Sequence, residues 1–166
     1  TWQLADATVT RSKTVNGTRL QRAVDEALPK RFGKYTLIKK LATGGMAELF
    51  LALHRPVAGF EKLIVIKRIL PNLSENEDFV RMFLDEARLA AQLNHPNVVQ
   101  IYDIGAVDGQ YFIAMEYLSG RDTRRLMKKA AKRGELIPLQ FTLQIVHGVC
   151  EGLEYAHGKT DQAGRP

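Results

Sequence analysis

Lys67 closes the apolar run Ile64-Val65-Ile66, and Glu86 follows nineteen residues later among Met82, Phe83, Leu89, Ala90 and Leu93 at helical spacing. Ahead of them, between two strand-like segments, stands a glycine turn, Ala42-Thr43-Gly44-Gly45. Each feature alone is ordinary. A lysine at a strand end is commonly solvated, and a glycine turn commonly joins two strands and binds nothing. Together, in this order, they make a grip for phosphate oxygens. Backbone N–H groups of a glycine turn approach an anion without side chains in the way. A lysine supplies a point charge, and a carboxylate keeps it ionised and aimed. Glu86 on an apolar helix face asks for a cation, because an unpaired buried carboxylate costs several kcal/mol. Lys67 is the cation that the preceding strand offers. The competing reading is a half-exposed glutamate at the helix edge.

The elements that must position these groups are visible in the pattern. Residues 35–41 and 49–53 read as strands joined by the glycine turn, and residues 55–61, with Pro56 and Gly59, as a connecting loop. Residues 63–69 form a third strand whose near-continuous apolar character predicts cover on both faces. Ser74 and Glu77 form a capping box that opens a long helix, and Asn94-His95-Pro96-Asn97 stops it. Residues 98–107 and 110–117 are two more strands, joined by the hairpin signal Asp108-Gly109. A basic helix runs to about Arg133, and Pro138 opens another to His157 with Phe141, Ile145, Val149 and Leu153 along one side. Before about Lys30 the chain is polar, with Leu20, Val24 and Leu28 allowing one short helix. The expected class is α+β: a five-stranded antiparallel sheet plus one long helix, then two helices.

Several segments carry a family resemblance. Leu41-Ala42-Thr43-Gly44-Gly45-Met46-Ala47-Glu48-Leu49-Phe50, Ile64-Val65-Ile66-Lys67 and Phe83-Leu84-Asp85-Glu86-Ala87 come in that order. His95-Pro96-Asn97-Val98-Val99, Phe112-Ile113-Ala114-Met115-Glu116-Tyr117-Leu118 and Gly152-Leu153-Glu154-Tyr155-Ala156-His157 follow. Over about residues 32–157 the chain resembles the eukaryotic-like serine/threonine protein kinases of bacteria. Residues 1–31, polar and weakly patterned, read as a poorly structured leader or linker, and the resemblance implies a kinase small lobe over 32–118 and the start of an incomplete large lobe over 119–166. It implies ATP as cofactor, with Lys67 on the α- and β-phosphates, Glu86 orienting Lys67, and Ala42, Thr43, Gly44 and Gly45 covering the nucleotide. Leu49 and Val65 would roof the adenine, Met115 would be the gatekeeper, and the backbone of Glu116 and Leu118 would bond the adenine edge. Asp122 would contact the ribose; its plainer reading is an acid at a helix N-terminus.

The departures from the family are specific. Its outer loop glycines are Ala42 and Ala47 here, which stiffens the loop, and Val65 stands where alanine is usual, which narrows the adenine slot. His-Arg-Asp and Asp-Phe-Gly do not occur in the sequence. The general base and the Mg2+ ligands are therefore expected outside this chain, and the chain alone is expected to be inactive. A pseudokinase or kinase-like scaffold is the alternative. With no large lobe to cover it, the apolar side of the last helix is expected to self-associate.

An apolar fraction of 45% argues for a folded domain, and the net charge of +6 gathers in an N-terminal segment and in Arg121, Arg124, Arg125, Lys128, Lys129, Lys132 and Arg133. No aromatic interleaving accompanies these runs, so a solvated face is expected rather than nucleic acid. Docking of a polyanion on that basic helix is a third possibility. Cys150, the single cysteine, excludes an intrachain disulfide, suits a cytoplasmic setting and is expected to fill core. No run is long enough to span a membrane, although related kinases often carry a span beyond the catalytic domain, which leaves tethering of a longer protein open. The start at Thr1 without methionine makes both ends read as cuts. His54, His95, His147 and His157 lack metal-ligand spacing, so no metal is expected on this chain.

Overall fold

A computed structural model of the chain describes residues 27–57 and 59–159. β1 (Lys30–Phe32), β2 (Tyr35–Thr43), β3 (Ala47–Val57), β4 (Phe60–Ile69), β5 (Ile101–Val107) and β6 (Gln110–Glu116) form one sheet. Its order is β1-β2-β3-β4-β6-β5, with every neighbouring pair antiparallel. The five expected strands are joined by a sixth, the short β1, which turns back onto β2 through Gly33 at φ 56. Leu20 and Val24 of the expected leader helix lie outside the described residues, while Leu28 packs on the core beside β1.

Two strand boundaries differ from the sequence pattern. The expected loop at 55–61 is the far end of a long hairpin: Val57 pairs with Phe60, and an Arg55–Glu61 ion pair links the strands. Pro56 is accommodated because it falls in the register gap between His54 and Val57, where no ladder donor is needed. β5 begins at Ile101 rather than at Val98, because the Val98 N–H donates to the His95 carbonyl (3.0 Å) and continues the turn.

The sheet buries both faces over β4, as its apolar run predicts: Ile64, Val65 and Ile66 are 1%, 9% and 0% exposed. One face, with Phe32, Tyr35, Leu37, Phe50, Ile64, Ile66, Phe112 and Ala114, forms the larger core. The other packs Ala47, Ile69 and Ile113 against α1 (Glu77–Ala91) through Val80, Phe83 and Ala87.

The expected capping box is not the cap. Pro71–Leu73 winds into a 3₁₀ turn that takes Ser74 as its last residue, and Ser74 Oγ donates to the Leu70 carbonyl. Asn76 caps α1 instead, its side chain accepting from the Phe79 N–H at 3.0 Å. α2 (Thr123–Ala131) and α3 (Leu139–His157) follow. α3 docks through its small residues: a Cβ at Gly152 would lie 3.1 Å from the Asn97 carbonyl oxygen, and Tyr155 stacks on His95. Its Phe141, Ile145, Val149 and Leu153 side is exposed, as expected. Cys150 is exposed too, and so is not core filler: α3 contacts residues 94–97 through Gly148, Glu151, Gly152 and Tyr155.

Candidate active site

Cross-strand partners in an antiparallel ladder project to the same face. Leu49 pairs with Lys67, Val65 with Met115, and Ala42 with Leu49. Ala42, Leu49, Val65, Lys67 and Met115 thus share one face of the sheet, the face that carries α1. Lys67, on β4, is mostly enclosed. Its Nζ lies 3.7 Å from Glu86 Oε1 and 5.5 Å from the centroid of the Phe83 ring. The contact to Glu86 is an ion pair longer than a hydrogen bond.

The apolar spacing around Glu86 is misleading. Glu86 is not on the buried face of α1: its side chain is 49% exposed, against 15% for Lys67. Met82 and Leu89, the apolar neighbours that suggested burial, are 50% and 69% exposed. The buried stripe is Val80, Phe83 and Ala87. The pair forms nonetheless, because the enclosed lysine needs a counter-charge and Glu86 lies at the rim where it reaches in.

Gly44, Gly45 and Met46 form the exposed turn that follows Thr43, the exposed last residue of β2, and leads into β3. The Gly44 N–H donates to the Ala47 carbonyl (2.9 Å), and the Leu70 N–H donates to the Met46 carbonyl (3.1 Å), tying the turn to the end of β4. Around Gly45 there is open space. Ala47 is buried in the core under α1, so the methyl that replaces a glycine hydrogen is used in packing.

At the other end of the face, Glu116 closes β6. Its N–H donates to the Gln100 carbonyl (2.9 Å), and its carboxylate accepts from the Gln100 N–H. Leu118 just beyond is 62% exposed. Asp122 caps α2, with Oδ1 accepting from the Arg125 N–H at 2.8 Å, the plainer of its two expected roles.

The sequence reading missed a charged cluster on the opposite face. Glu48 Oε2 accepts from Arg68 at 2.9 Å, Glu48 Oε1 from Lys40 at 2.7 Å, and Gln110 Oε1 from Arg68 at 3.1 Å. Burial pushes the Glu48 carboxyl up, and the hydrogen bonds and charges of Lys40 and Arg68 outweigh it, holding it below its ordinary value. The available signal was alternation: Glu48 and Phe50 share a face of β3, and Arg68 and Ile66 share a face of β4. A cavity of about 270 Å3 around Tyr35 and Tyr102 lies on the opposite face, and one of about 360 Å3 around Arg81 and Tyr111 lies beside α1; neither is lined by Lys67 or Glu86. Among the described residues no cluster of His, Cys, Asp and Glu could hold a metal, and no helix is long and apolar enough to cross a membrane.

A family model described as the protein kinase domain matches residues 35–160. The chain is 49% identical over 135 residues to a Myxococcus xanthus protein named tyrosine-protein kinase MasK, which covers 81% of the chain and 21% of the relative. It is 34% identical over 126 residues to the Mycobacterium tuberculosis serine/threonine-protein kinase PknI, covering 76% of the chain and 21% of the relative. The chain therefore spans about a fifth of the length of these curated relatives. A crystal structure of the M. tuberculosis PknI kinase domain superposes with a TM-score of 0.63 at 34% identity, covering 79% of this chain and 50% of that one.

Proposed function

The chain belongs to the protein kinase family, and from that premise we propose that it supplies the ATP-gripping part of a serine/threonine kinase. The observation that carries the reading is the enclosed Lys67 paired with Glu86 on the face shared by Leu49, Val65 and Met115. The donor set fits a nucleotide: a cation for phosphate oxygens, apolar walls for a ring, and an open glycine turn beside them. Bound ATP supplies the phosphoryl group that a hydroxyl of another protein accepts.

In this reading Lys67 holds the α- and β-phosphates and Glu86 keeps its ammonium aimed. Thr43, Gly44 and Gly45 cover the phosphates beside Ala42. Leu49 and Val65 cover the base, Met115 limits the depth of its slot, and the backbone of Glu116 and Leu118 bonds its edge. Asp122 combines a ribose contact with its cap. Among the described residues no group of His, Cys, Asp and Glu could hold a metal, so in this reading Mg2+ would be held by groups outside them, and these residues alone would not transfer phosphate. A cytoplasmic reaction suits the single cysteine.

Serine and threonine are proposed as acceptors after the name of PknI, at 34% identity; tyrosine is the second reading, favoured by the 49% identity to MasK. The test is labelling of the full-length protein with an ATP acyl-phosphate, followed by phosphoamino-acid analysis of the turnover product. The label should sit on Lys67 and be blocked by excess ATP, and the product should be phosphoserine or phosphothreonine. A label that ATP does not displace would overturn the site, and phosphotyrosine alone would overturn the acceptor class.

A further inference from the structure

Behind Lys67, a row of polar side chains crosses four neighbouring strands: Lys40 on β2, Glu48 on β3, Arg68 on β4 and Gln110 on β6. Glu48 and Arg68 are 7% and 5% exposed, and the Arg68 guanidinium lies 4.6 Å from the centroid of the Phe50 ring. Their place in the chain matters. Glu48 precedes Leu49, Arg68 follows Lys67, and Leu49 and Lys67 are cross-strand partners. Glu48 also pairs with Thr43, the last residue of β2 before the glycine turn. The cluster therefore backs both the turn and the lysine, one residue away from each.

Burying two charges offsets most of their attraction, so an apolar pair would fill this space with equal or better stability. What the ions add is direction. The two Glu48 oxygens are held by donors from different strands, and Arg68 reaches on to Gln110, so a slip of any one strand breaks bonds that apolar packing would tolerate. We infer that Glu48 and Arg68 are positioning residues that fix the glycine turn and Lys67 in one relation to each other. The inference rests on the ATP-gripping reading. Loosening this relation lets the turn drift over the phosphates, and it weakens the hold on ATP more than the hold on the protein substrate.

The test uses the full-length protein in four forms: wild type, Lys67→Met, Glu48→Gln, and the double replacement Glu48→Leu with Arg68→Met. Arg55→Ala, which breaks the exposed ion pair at the far end of the same hairpin, is the control. The double variant restores apolar packing and separates positioning from stability. It should melt close to wild type yet show a KM for ATP raised roughly tenfold or more, with the protein-substrate KM unchanged. Glu48→Gln should shift the ATP KM in the same direction, and Arg55→Ala should not shift it. A folded double variant with an ATP KM within about twofold of wild type would overturn the inference. Should that variant melt below the assay temperature, Arg68→Lys, which keeps the charge but not the fork of donors, carries the same test. Equal phosphoryl transfer by wild type and Lys67→Met would instead remove the ATP-gripping reading, and this inference with it.

Discussion

Lys67 is the enclosed member of its ion pair and Glu86 the open one, with side chains 15% and 49% exposed and Nζ 3.7 Å from Oε1. The asymmetry sets what each residue can do. An open, long ion pair adds little to stability, about 0–1 kcal/mol. Glu86 can therefore be kept for the direction it gives the lysine, with the fold held elsewhere, by Val80, Phe83 and Ala87 on the next stripe of the same helix.

That division predicts how α1 responds to truncation. Phe83→Ala removes a ring that is 4% exposed and should cost about 3–5 kcal/mol. Leu89→Ala removes a side chain that is 69% exposed and should cost no more than about 0.5 kcal/mol. Urea unfolding of the two variants distinguishes the faces; equal losses would contradict the packing described.

Asp122 has a cap role that is visible and a ribose role that is proposed. Asp122→Ala should lower stability by about 1 kcal/mol, whereas Asp122→Asn keeps an acceptor for the Arg125 N–H and should be nearly neutral. Both should raise the KM for ATP if the carboxylate also meets the ribose. A normal KM in a stable Asp122→Asn variant would leave only the cap.

Much of this arrangement was legible because it is local. The Asp108-Gly109 hairpin, the apolar run of β4, Pro138 at the start of α3 and the order of glycine turn, lysine and glutamate all lie within short windows of sequence. What escaped was decided by tertiary packing. Two apolar stripes overlap on α1, and only contact with Ile69 and Ile113 selects Phe83 with Ala87 over Met82 with Leu89. Ser74 looked like a cap until the 3₁₀ turn at Pro71–Leu73 used it. Cys150 looked like core because α3 is apolar around much of its circumference, while its docking edge is the less conspicuous Gly148 and Gly152. The Glu48–Arg68 pair is twenty residues apart in sequence and exists only through strand register.

Glu48 also predicts an acid limit. Its folded carboxyl is held below the ordinary value of 4.5, so the unfolded chain binds the proton more readily. The resulting stability is fully present above about pH 4.5 and is lost as pH falls through the folded value. Asp103, held low by Tyr35 and Lys34 against the cost of burial, acts in the same direction near its ordinary 3.8. Thermal melts between about pH 3 and pH 7 should show a steep acid-side loss. Relative to wild type, Glu48→Gln should flatten that slope; an unchanged slope would mean that Glu48 is not held low.

The exposed side of α3 predicts association. Phe141, Ile145, Val149 and Leu153 are 50%, 39%, 54% and 51% exposed along one helix. The 166-residue chain should sediment as more than a monomer at micromolar concentration, and Val149→Glu with Leu153→Lys should raise the monomer fraction. Monodisperse monomer in the unaltered chain would contradict this.

The role of Lys67 in gripping ATP is tested most directly by phosphoryl transfer in the full-length protein carrying Lys67→Met, measured beside wild type and Glu86→Gln. Lys67→Met should lose roughly a hundredfold or more and Glu86→Gln less, with both variants melting close to wild type. Turnover by Lys67→Met at the wild-type rate would contradict that role.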